Sequence, residues 1–194
     1  MDNKVRNIAP FINDRFLITS PWWTERVDPI TGETKIHRGL DIATSGAKKV
    51  YSILNGIVHS KGYNSTRGNW IIIKDNDSTS LTYGYASLYM HLASEPLLVI
   101  GQKIKKGEYV GLEGTTGSST GIHLHVEMQN INLFNNEWYS SYNKDDYIDP
   151  TIYMGIDNIK NTWWIYSGTP VPYTTKKKKF PWFIINKKRK SRFY

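Results

Sequence analysis

The stretch GIHLHVE, residues 121–127, places His123 and His125 two positions apart with only Leu124 between them. Its mostly apolar composition predicts a β-strand. Because alternate residues of a strand point to the same face, about 6–7 Å apart, both imidazoles are expected in one locality. Imidazole is the commonest metal ligand and the commonest acid or base near neutral pH. The alternative is two half-buried histidines bonded to backbone carbonyls, which is costly without a shared partner.

Short runs of β-forming residues surround this stretch and predict an all-β domain built on an antiparallel sheet. The runs are rich in Val, Ile, Tyr and Trp, and turn signals such as Asn55-Gly56 and Lys106-Gly107 separate them. Many short strands with tight turns are typical of antiparallel architecture. The predicted strands are Val50–Leu54, Gly56–His59, Asn69–Lys74, Ser87–Leu92, Tyr109–Leu112 and Ile122–Met128.

The chain of 194 residues is long enough for one compact domain with extensions. We predict a lead-in at residues 1–15, a main domain at residues 16–155 and an aromatic and basic extension at residues 156–194. All 17 acidic residues lie at or before Asp157, whereas nine of the 25 basic residues lie between Lys176 and Arg192. The main domain is therefore nearly neutral, and attraction to polyanions is expected of the extension only.

In the basic tail, Lys176–Arg192, two basic clusters flank an apolar patch, as the sequence KKKKFPWFIINKKRKSR shows. This pattern predicts contact with polyanions such as teichoic acids, anionic lipid or nucleic acid. The alternative is a solvated terminus or a segment that docks onto a larger assembly. No specific nucleic-acid motif occurs, no apolar run is long enough to form a transmembrane segment, and the N-terminus lacks a signal-peptide pattern.

Three further histidines lie outside this stretch. His37 begins the motif HRGLD, where a strand end and a turn are predicted because Gly39 disfavours a helix. With Asp41 it makes a suitable ligand pair for zinc, and the alternative is a His and an Asp in a surface loop. His91 lies among β-formers in LYMHL and would by itself be a satisfied core or edge histidine, whereas His59 is predicted to be structural or exposed.

Four histidines and one aspartate thus form a set of metal-type groups. The chain contains no cysteine, which excludes disulfides and thiolate zinc sites. A catalytic zinc takes three protein ligands and keeps one position open, and further imidazoles beside it can act as acid–base partners or oxyanion donors. Spacing alone does not decide which histidine of HLH would bind metal. The set is His37, Asp41, His91, His123 and His125.

From Phe16 to Tyr153 the sequence resembles the M23 family of zinc metallopeptidases, the lysostaphin-like or LytM-like peptidoglycan endopeptidases. The motifs HRGLD, GNWIIIKD, YMHL, GQKIKKGEYVGLEGTTGSSTGIHLHVE and IDPTIYM follow in the family's order. The resemblance implies an antiparallel sheet with a substrate groove and hydrolysis of peptidoglycan stem or cross-bridge peptides. The residues so implied are His37, Asp41 and His125 as ligands of one zinc ion, and His91 and His123 as catalytic imidazoles.

Two features depart from the family pattern. Pro21-Trp22-Trp23 stand where a small, glycine-containing turn is frequent, so the indoles are expected near the groove, where they would narrow it or contact substrate. Ile122 stands where proline is frequent. The glycine-rich stretch at residues 114–121 is predicted to be a flexible loop at the groove, with a plain connector as the alternative.

The location and the competing functions follow from the same features. An enzyme of this kind would act at the bacterial cell wall, and the missing export signal predicts a phage-encoded, virion-associated protein or another export route. The alternative function is a non-catalytic cell-wall-binding module, or a structural module of a phage tail, on the same fold. Retention of all five site residues favours the enzyme.

Overall fold

The structure is a computed structural model, and it describes residues 9–165 of the chain. Strands dominate this part, and the helical segments are two 3₁₀ turns, Ile131–Phe134 and Lys144–Asp146, and the short helix α1, Pro150–Met154. The strands are β1 Arg15–Ser20, β2 Thr24–Val27, β3 Thr34–His37, β4 Leu40–Thr44, β5 Lys49–Tyr51, β6 Gly56–Asn64, β7 Gly68–Lys74, β8 Tyr85–Leu92, β9 Lys103–Ile104, β10 Tyr109–Leu112, β11 Leu124–Asn130 and β12 Trp163–Ile165.

An eight-stranded antiparallel sheet organises the domain, in the order β12-β1-β4-β11-β8-β7-β6-β9. Two small sheets, β10-β5 and β2-β3, lie beside it. The predicted all-β, antiparallel class is confirmed. Each of the six predicted strands overlaps an observed one, although β6 continues to Asn64 and β11 begins at Leu124.

The sheet continues beyond the boundary predicted near residue 155. Strand β12 pairs with β1, and the Asn158 side chain accepts a hydrogen bond from the Trp22 amide at 2.8 Å and donates one to the Trp22 carbonyl at 2.9 Å. At the other end, Ala9 and Phe11 are buried in the core, so residues 9–14 pack onto the main domain. The basic tail, Lys176–Arg192, lies outside the described residues.

Alternation along β11 separates the core from the polar face that carries the site. Leu124 and Val126 point into the main hydrophobic core. His125 points to the opposite face, directly across from Asp41 of β4 on one side and Met90 of β8 on the other. Since side chains opposite one another in a sheet share a face, this register brings Asp41 and His125 together.

The two tryptophans at positions 22 and 23 pack mainly against other side chains of the domain. Trp22 is 8% exposed and belongs to the core cluster, and Trp23 packs against it and against Tyr147 with ring centroids 5.6 and 5.4 Å apart. Neither indole lines the cavities beside the site. The indoles thus do not narrow these two cavities, and Trp22 is buried because this removes its large apolar surface from water.

Candidate active site

The HRGLD motif forms the turn between β3 and β4, as predicted. His37 is the last residue of β3, and its Nδ1 lies 3.0 Å from the Pro21 carbonyl oxygen. A carbonyl can only accept, so Nδ1 carries the proton and Nε2 presents its lone pair. That Nε2 lies 3.1 Å from Oδ1 of Asp41, and the Oδ2 of Asp41 accepts from Arg26 at 2.8 Å.

His125 is oriented from both ends of its ring. Its Nδ1 lies 2.7 Å from Asp41 Oδ1 and 3.1 Å from His37 Nε2, and its Nε2 lies 3.0 Å from Oε1 of Glu127. Glu127 is 4% exposed. A buried carboxylate on the far nitrogen of the ring is the usual arrangement around a metal-binding histidine, and a metal ion bound at Nδ1 would replace the proton that this nitrogen directs at Asp41.

Three donor atoms therefore converge in one buried place. Atoms from His37, Asp41 and His125 all lie within 4.8 Å of one another. Two imidazoles and one carboxylate form a donor set that suits a divalent transition metal, and zinc in particular. The hydrogen bonds at the far nitrogens orient both rings toward the common point. The group could hold one metal ion.

His91 reaches this point through an irregularity of β8. Strict alternation would turn it away from Met90, which faces His125. Instead the pairing of β7 with β8 shifts between Asn69 and Ile71, and His91 has φ of 62°. A bulge of this kind re-aims a side chain, and left-handed backbone in a non-glycine residue is typical of functional sites. His91 Nδ1 donates to the Thr116 carbonyl at 2.8 Å, which leaves Nε2 free.

His123 lies just before β11 and is joined to Gly114 by an isolated bridge. Its ring centroid is 4.8 Å from that of His91, and its Nε2 is 3.8 Å from Oδ1 of Asp41. Its Nδ1 donates to the Gly121 carbonyl at 2.8 Å. The structure thus brings His91 and His123 together beside the donor group, each with Nε2 as the unprotonated nitrogen in its neutral form.

Burial and mutual charge shift the pKa values of these groups. Burial lowers the pKa of His91 to about 4, with the neighbouring His125 and His123 adding to the effect, so His91 is neutral at pH 7. Burial alone would also lower the pKa of His125, but the carboxylates of Asp41 and Glu127 outweigh it and raise that pKa to about 9. Burial opposes ionisation of Asp41, yet His37 and His125 hold its pKa well below the usual range.

Two cavities flank the site, with volumes of about 530 and about 270 Å³. His91 lines both. The stretch at residues 114–121 lies at the groove, since residues 118–121 line the smaller cavity and Thr116 anchors the loop to the Asn69 amide at 2.9 Å. His59 lines neither cavity, and its Nδ1 lies 3.2 Å from the Ser60 hydroxyl.

Several residues beside the site were not singled out from the sequence. Glu127 continues the alternation of His123 and His125, so the pattern HLHVE could have indicated it. Arg38 and Arg67, which line the larger cavity, gave no comparable signal.

Residues 35–150 match the family described as Peptidase family M23. The chain belongs to this family. A metalloprotease of Buchnera aphidicola is 36% identical over 119 residues, which cover 61% of this chain and 30% of that protein. The peptidoglycan DD-endopeptidase ShyC of Vibrio cholerae is 32% identical over 110 residues, or 57% of this chain and 24% of that protein. The match thus spans less than a third of either relative.

Solved structures share the fold. A zinc-containing peptidase from Vibrio cholerae superposes with a TM-score of 0.52 at 34% identity, covering 63% of this chain and 36% of that one. The catalytic domain of lysostaphin from Staphylococcus simulans gives a TM-score of 0.51 at 24% identity, covering 74% of this chain and 92% of that one. Among residues 9–165, no helix has the length and apolarity needed to cross a membrane.

Proposed function

We propose that this chain is a zinc-dependent endopeptidase that hydrolyses peptide bonds in the stem or cross-bridge peptides of peptidoglycan. One observation carries the proposal: the buried donor group of His37, Asp41 and His125 lies directly beside the paired imidazoles of His91 and His123. Membership of the M23 family supports it, as do relatives such as the DD-endopeptidases of Vibrio cholerae.

His37, Asp41 and His125 would hold the zinc ion. When bound, zinc would supply Lewis acidity toward water and toward the scissile carbonyl. The protein's own part is to hold the far nitrogen of each ring, through Pro21 for His37 and Glu127 for His125, so that the other nitrogen of each ring faces Asp41. Arg26 holds the second oxygen of Asp41, which leaves Oδ1 directed at the two imidazoles.

His91 and His123 would handle protons and developing charge. Neutral His91 presents an unprotonated Nε2, which can accept a proton from an attacking water. Once protonated, an imidazole can donate to the tetrahedral oxyanion or to the leaving amine. His123 stands at ring-contact distance from His91, on the side of the smaller cavity, where a peptide lying along the groove would meet both rings.

The decisive experiment measures release of new amino termini from purified peptidoglycan. We expect cleavage by the wild type, loss of cleavage on chelation, recovery with zinc, and no cleavage by His125→Ala. Mass spectrometry of the fragments then identifies the bond. One zinc per chain without cleavage of walls from diverse bacteria would refute the peptidase and favour a wall-binding or phage-tail structural module.

Location and the role of the extension belong to the same proposal. An enzyme of this kind acts at the bacterial cell wall, reached as part of a virion or by another export route. Contact of the basic tail, Lys176–Arg192, with polyanions or with a larger assembly stays a prediction. Comparing wall binding by the full chain with that of a variant whose eight clustered basic residues, 176–179 and 187–190, are changed to glutamine tests it.

A further inference from the structure

The two cavities beside the site differ in charge. The larger one is lined by four cationic side chains, and its acidic lining residues are Asp28 and Glu127. The smaller one shares Arg26 and Asp28 with the larger, has Asp41 as its other charged lining residue, and carries hydroxyl and apolar groups such as those of Thr120 and Ile122. A substrate that spans the site therefore meets a cationic wall on one side of the reacting bond and a nearly neutral wall on the other. The four cations are Arg26, Lys35, Arg38 and Arg67.

Two of the four cations already have carboxylate partners. Arg26 binds Asp41 at 2.8 Å, and Lys35 forms an ion pair with Asp28. Within residues 9–165, neither Arg38 nor Arg67 forms an ion pair with a carboxylate. These two half-buried guanidinium groups are the ones available to an anionic ligand.

Aromatic rings orient both guanidinium groups. Arg38 lies over Tyr142 with its Cζ 5.3 Å from the ring centroid, and Arg67 lies over Trp70 at 5.4 Å. Stacking on a ring fixes the plane of a guanidinium and leaves its N–H edge free for a second partner. A side chain held in this way loses less conformational entropy when it binds.

The backbones of both arginines also hold the site histidines. Arg38 directly follows His37, and the Arg67 carbonyl accepts a hydrogen bond from the His91 amide at 2.9 Å. Both side chains line the cavity that His37, His91 and His125 also line. An anion bound by the two arginines would consequently lie next to the bond being cut.

Glu127 lies in the same cavity and must be considered as a competitor of an anionic ligand for the two arginines. It is 4% exposed, its Oε1 accepts from His125, and it feels the positive charge of both arginines. One buried carboxylate balances one of the two cations, so a net positive charge remains for a ligand. Guanidinium groups bind carboxylates bidentately, which gives both strength and orientation.

We propose that Arg38 and Arg67 bind a free carboxylate of the substrate, carried by the residue on one side of the scissile amide. The enzyme would therefore select cross-links in which a diamino acid supplies the nitrogen of the scissile amide. The carbon that bears this nitrogen also bears a carboxylate, and this carboxylate must be free and not amidated. Bridges of glycine alone would be poor substrates, because they offer no charge at this position. This inference rests on the proposed peptidase function.

The test uses two synthetic cross-linked stem peptides that differ only in whether that carboxylate is free or amidated. We expect the zinc-loaded full chain to hydrolyse the free form with a kcat/KM roughly 10- to 100-fold higher, the range given by hydrogen bonds to charged groups. Arg38→Gln and Arg67→Gln should each lose much of this preference, mainly through a higher KM for the free-carboxylate peptide, and should slow hydrolysis of the amidated peptide much less.

Arg15→Gln is the matched control. Arg15 also stacks on a ring, with its Cζ 5.1 Å from the centroid of Trp163, but it lines neither cavity. It should keep the full preference. If an Arg38 or Arg67 variant lowers kcat/KM equally for both peptides, the role of that arginine is structural and the inference is wrong.

Binding of the two peptides, measured by calorimetry on the zinc-loaded chain, separates this inference from the proposed function. Hydrolysis of both peptides with equal kcat/KM would overturn the carboxylate site and leave the peptidase intact. Preferential binding of the free carboxylate without hydrolysis would refute the peptidase and leave the carboxylate site standing. Equal binding and no hydrolysis would refute both.

Discussion

Changing Gly39 to alanine adds a single methyl group at the turn between β3 and β4. A Cβ at this position would lie 2.3 Å from Nε2 of His125, 2.5 Å from its Cε1 and 2.9 Å from the Val126 carbonyl oxygen. The backbone of Gly39 is not in the left-handed region, so alanine itself fits the conformation. The obstacle is the imidazole of a proposed metal ligand.

The size of the effect follows from these distances. Non-bonded heavy atoms normally approach to about 3.5–4.0 Å, so the ring or the turn must move by roughly 1 Å. His125 is held at 2.7 Å from Asp41 and 3.0 Å from Glu127, and a shift of that size disrupts at least one of these bonds. Disturbing such a partner typically lowers metal affinity about 10- to 100-fold, and misplacing a catalytic group by about 1 Å can cost about 100-fold in rate.

Stability should change much less than function. Crowding a packed site costs about 1–3 kcal/mol, against a total unfolding free energy of about 5–15 kcal/mol for a domain. Gly39→Ala should therefore fold, bind zinc about 10- to 100-fold more weakly and retain about 1% of the wild-type rate at saturating zinc.

The assay combines zinc competition against a chelating dye, peptidoglycan hydrolysis with saturating zinc, and thermal unfolding. Gly62→Ala is the control for zinc affinity and thermal unfolding, since this glycine lies on β6 and the nearest neighbours of its Cβ would be atoms of the Trp70 ring, from 3.2 Å. Wild-type zinc affinity and rate in Gly39→Ala would refute the claim that this turn fixes His125. Loss of secondary structure in Gly39→Ala would instead refute the claim that the steric conflict is confined to this turn and His125.

Three further substitutions test other contacts. His123→Ala should keep one zinc per chain and lose about 10²–10⁴-fold in hydrolysis, as expected for a proton-transfer group; loss of zinc in elemental analysis would contradict this assignment. Glu127→Ala should weaken zinc binding in the dye competition about 10- to 100-fold, and Glu127→Gln, which keeps an acceptor for His125, should weaken it less; equal affinities would count against the role of this hydrogen bond. Tyr89→Phe leaves the Ile53 amide without its 2.8 Å acceptor and should reduce the free energy of unfolding by about 1–3 kcal/mol, and an unchanged denaturant midpoint would contradict it.

The sequence indicated the central strands and missed the hairpin before them. Runs such as Asn69–Lys74 are apolar enough to be recognised, because their strands are buried in the middle of the sheet. Strands β2 and β3 have four residues each, with Val27 and Ile36 as their only aliphatic side chains, and His37 is the only buried residue among the eight. A short, solvated hairpin gives little hydrophobic signal, so its tertiary role in presenting His37 is visible only in the structure.

His91 shows a different limit of prediction from the sequence. The sequence grouped it with the other metal-type residues, but its catalytic role was implied only by resemblance, since periodicity assigns it to the face opposite Met90. The bulge that turns it depends on the pairing of β8 with β7 and on the Thr116 carbonyl, 25 residues along the chain. Such long-range partners cannot be deduced from the local pattern LYMHL.

The orientation of the site imidazoles also depends in part on long-range contacts. His37, His91 and His123 each donate Nδ1–H to a backbone carbonyl of a turn or loop, so each presents Nε2. His125 instead directs Nδ1 at the site, because the carboxylate of Glu127, at the next same-face position of β11, holds its Nε2. The neighbourhood of HLHVE therefore holds the far nitrogens of His125 and His123 locally, through Glu127 and the Gly121 carbonyl, whereas His37 and His91 depend on carbonyls 16 and 25 residues away along the chain. The sequence identified the residues that could bind a metal ion, but only the tertiary structure could show which nitrogen of each imidazole faces the site.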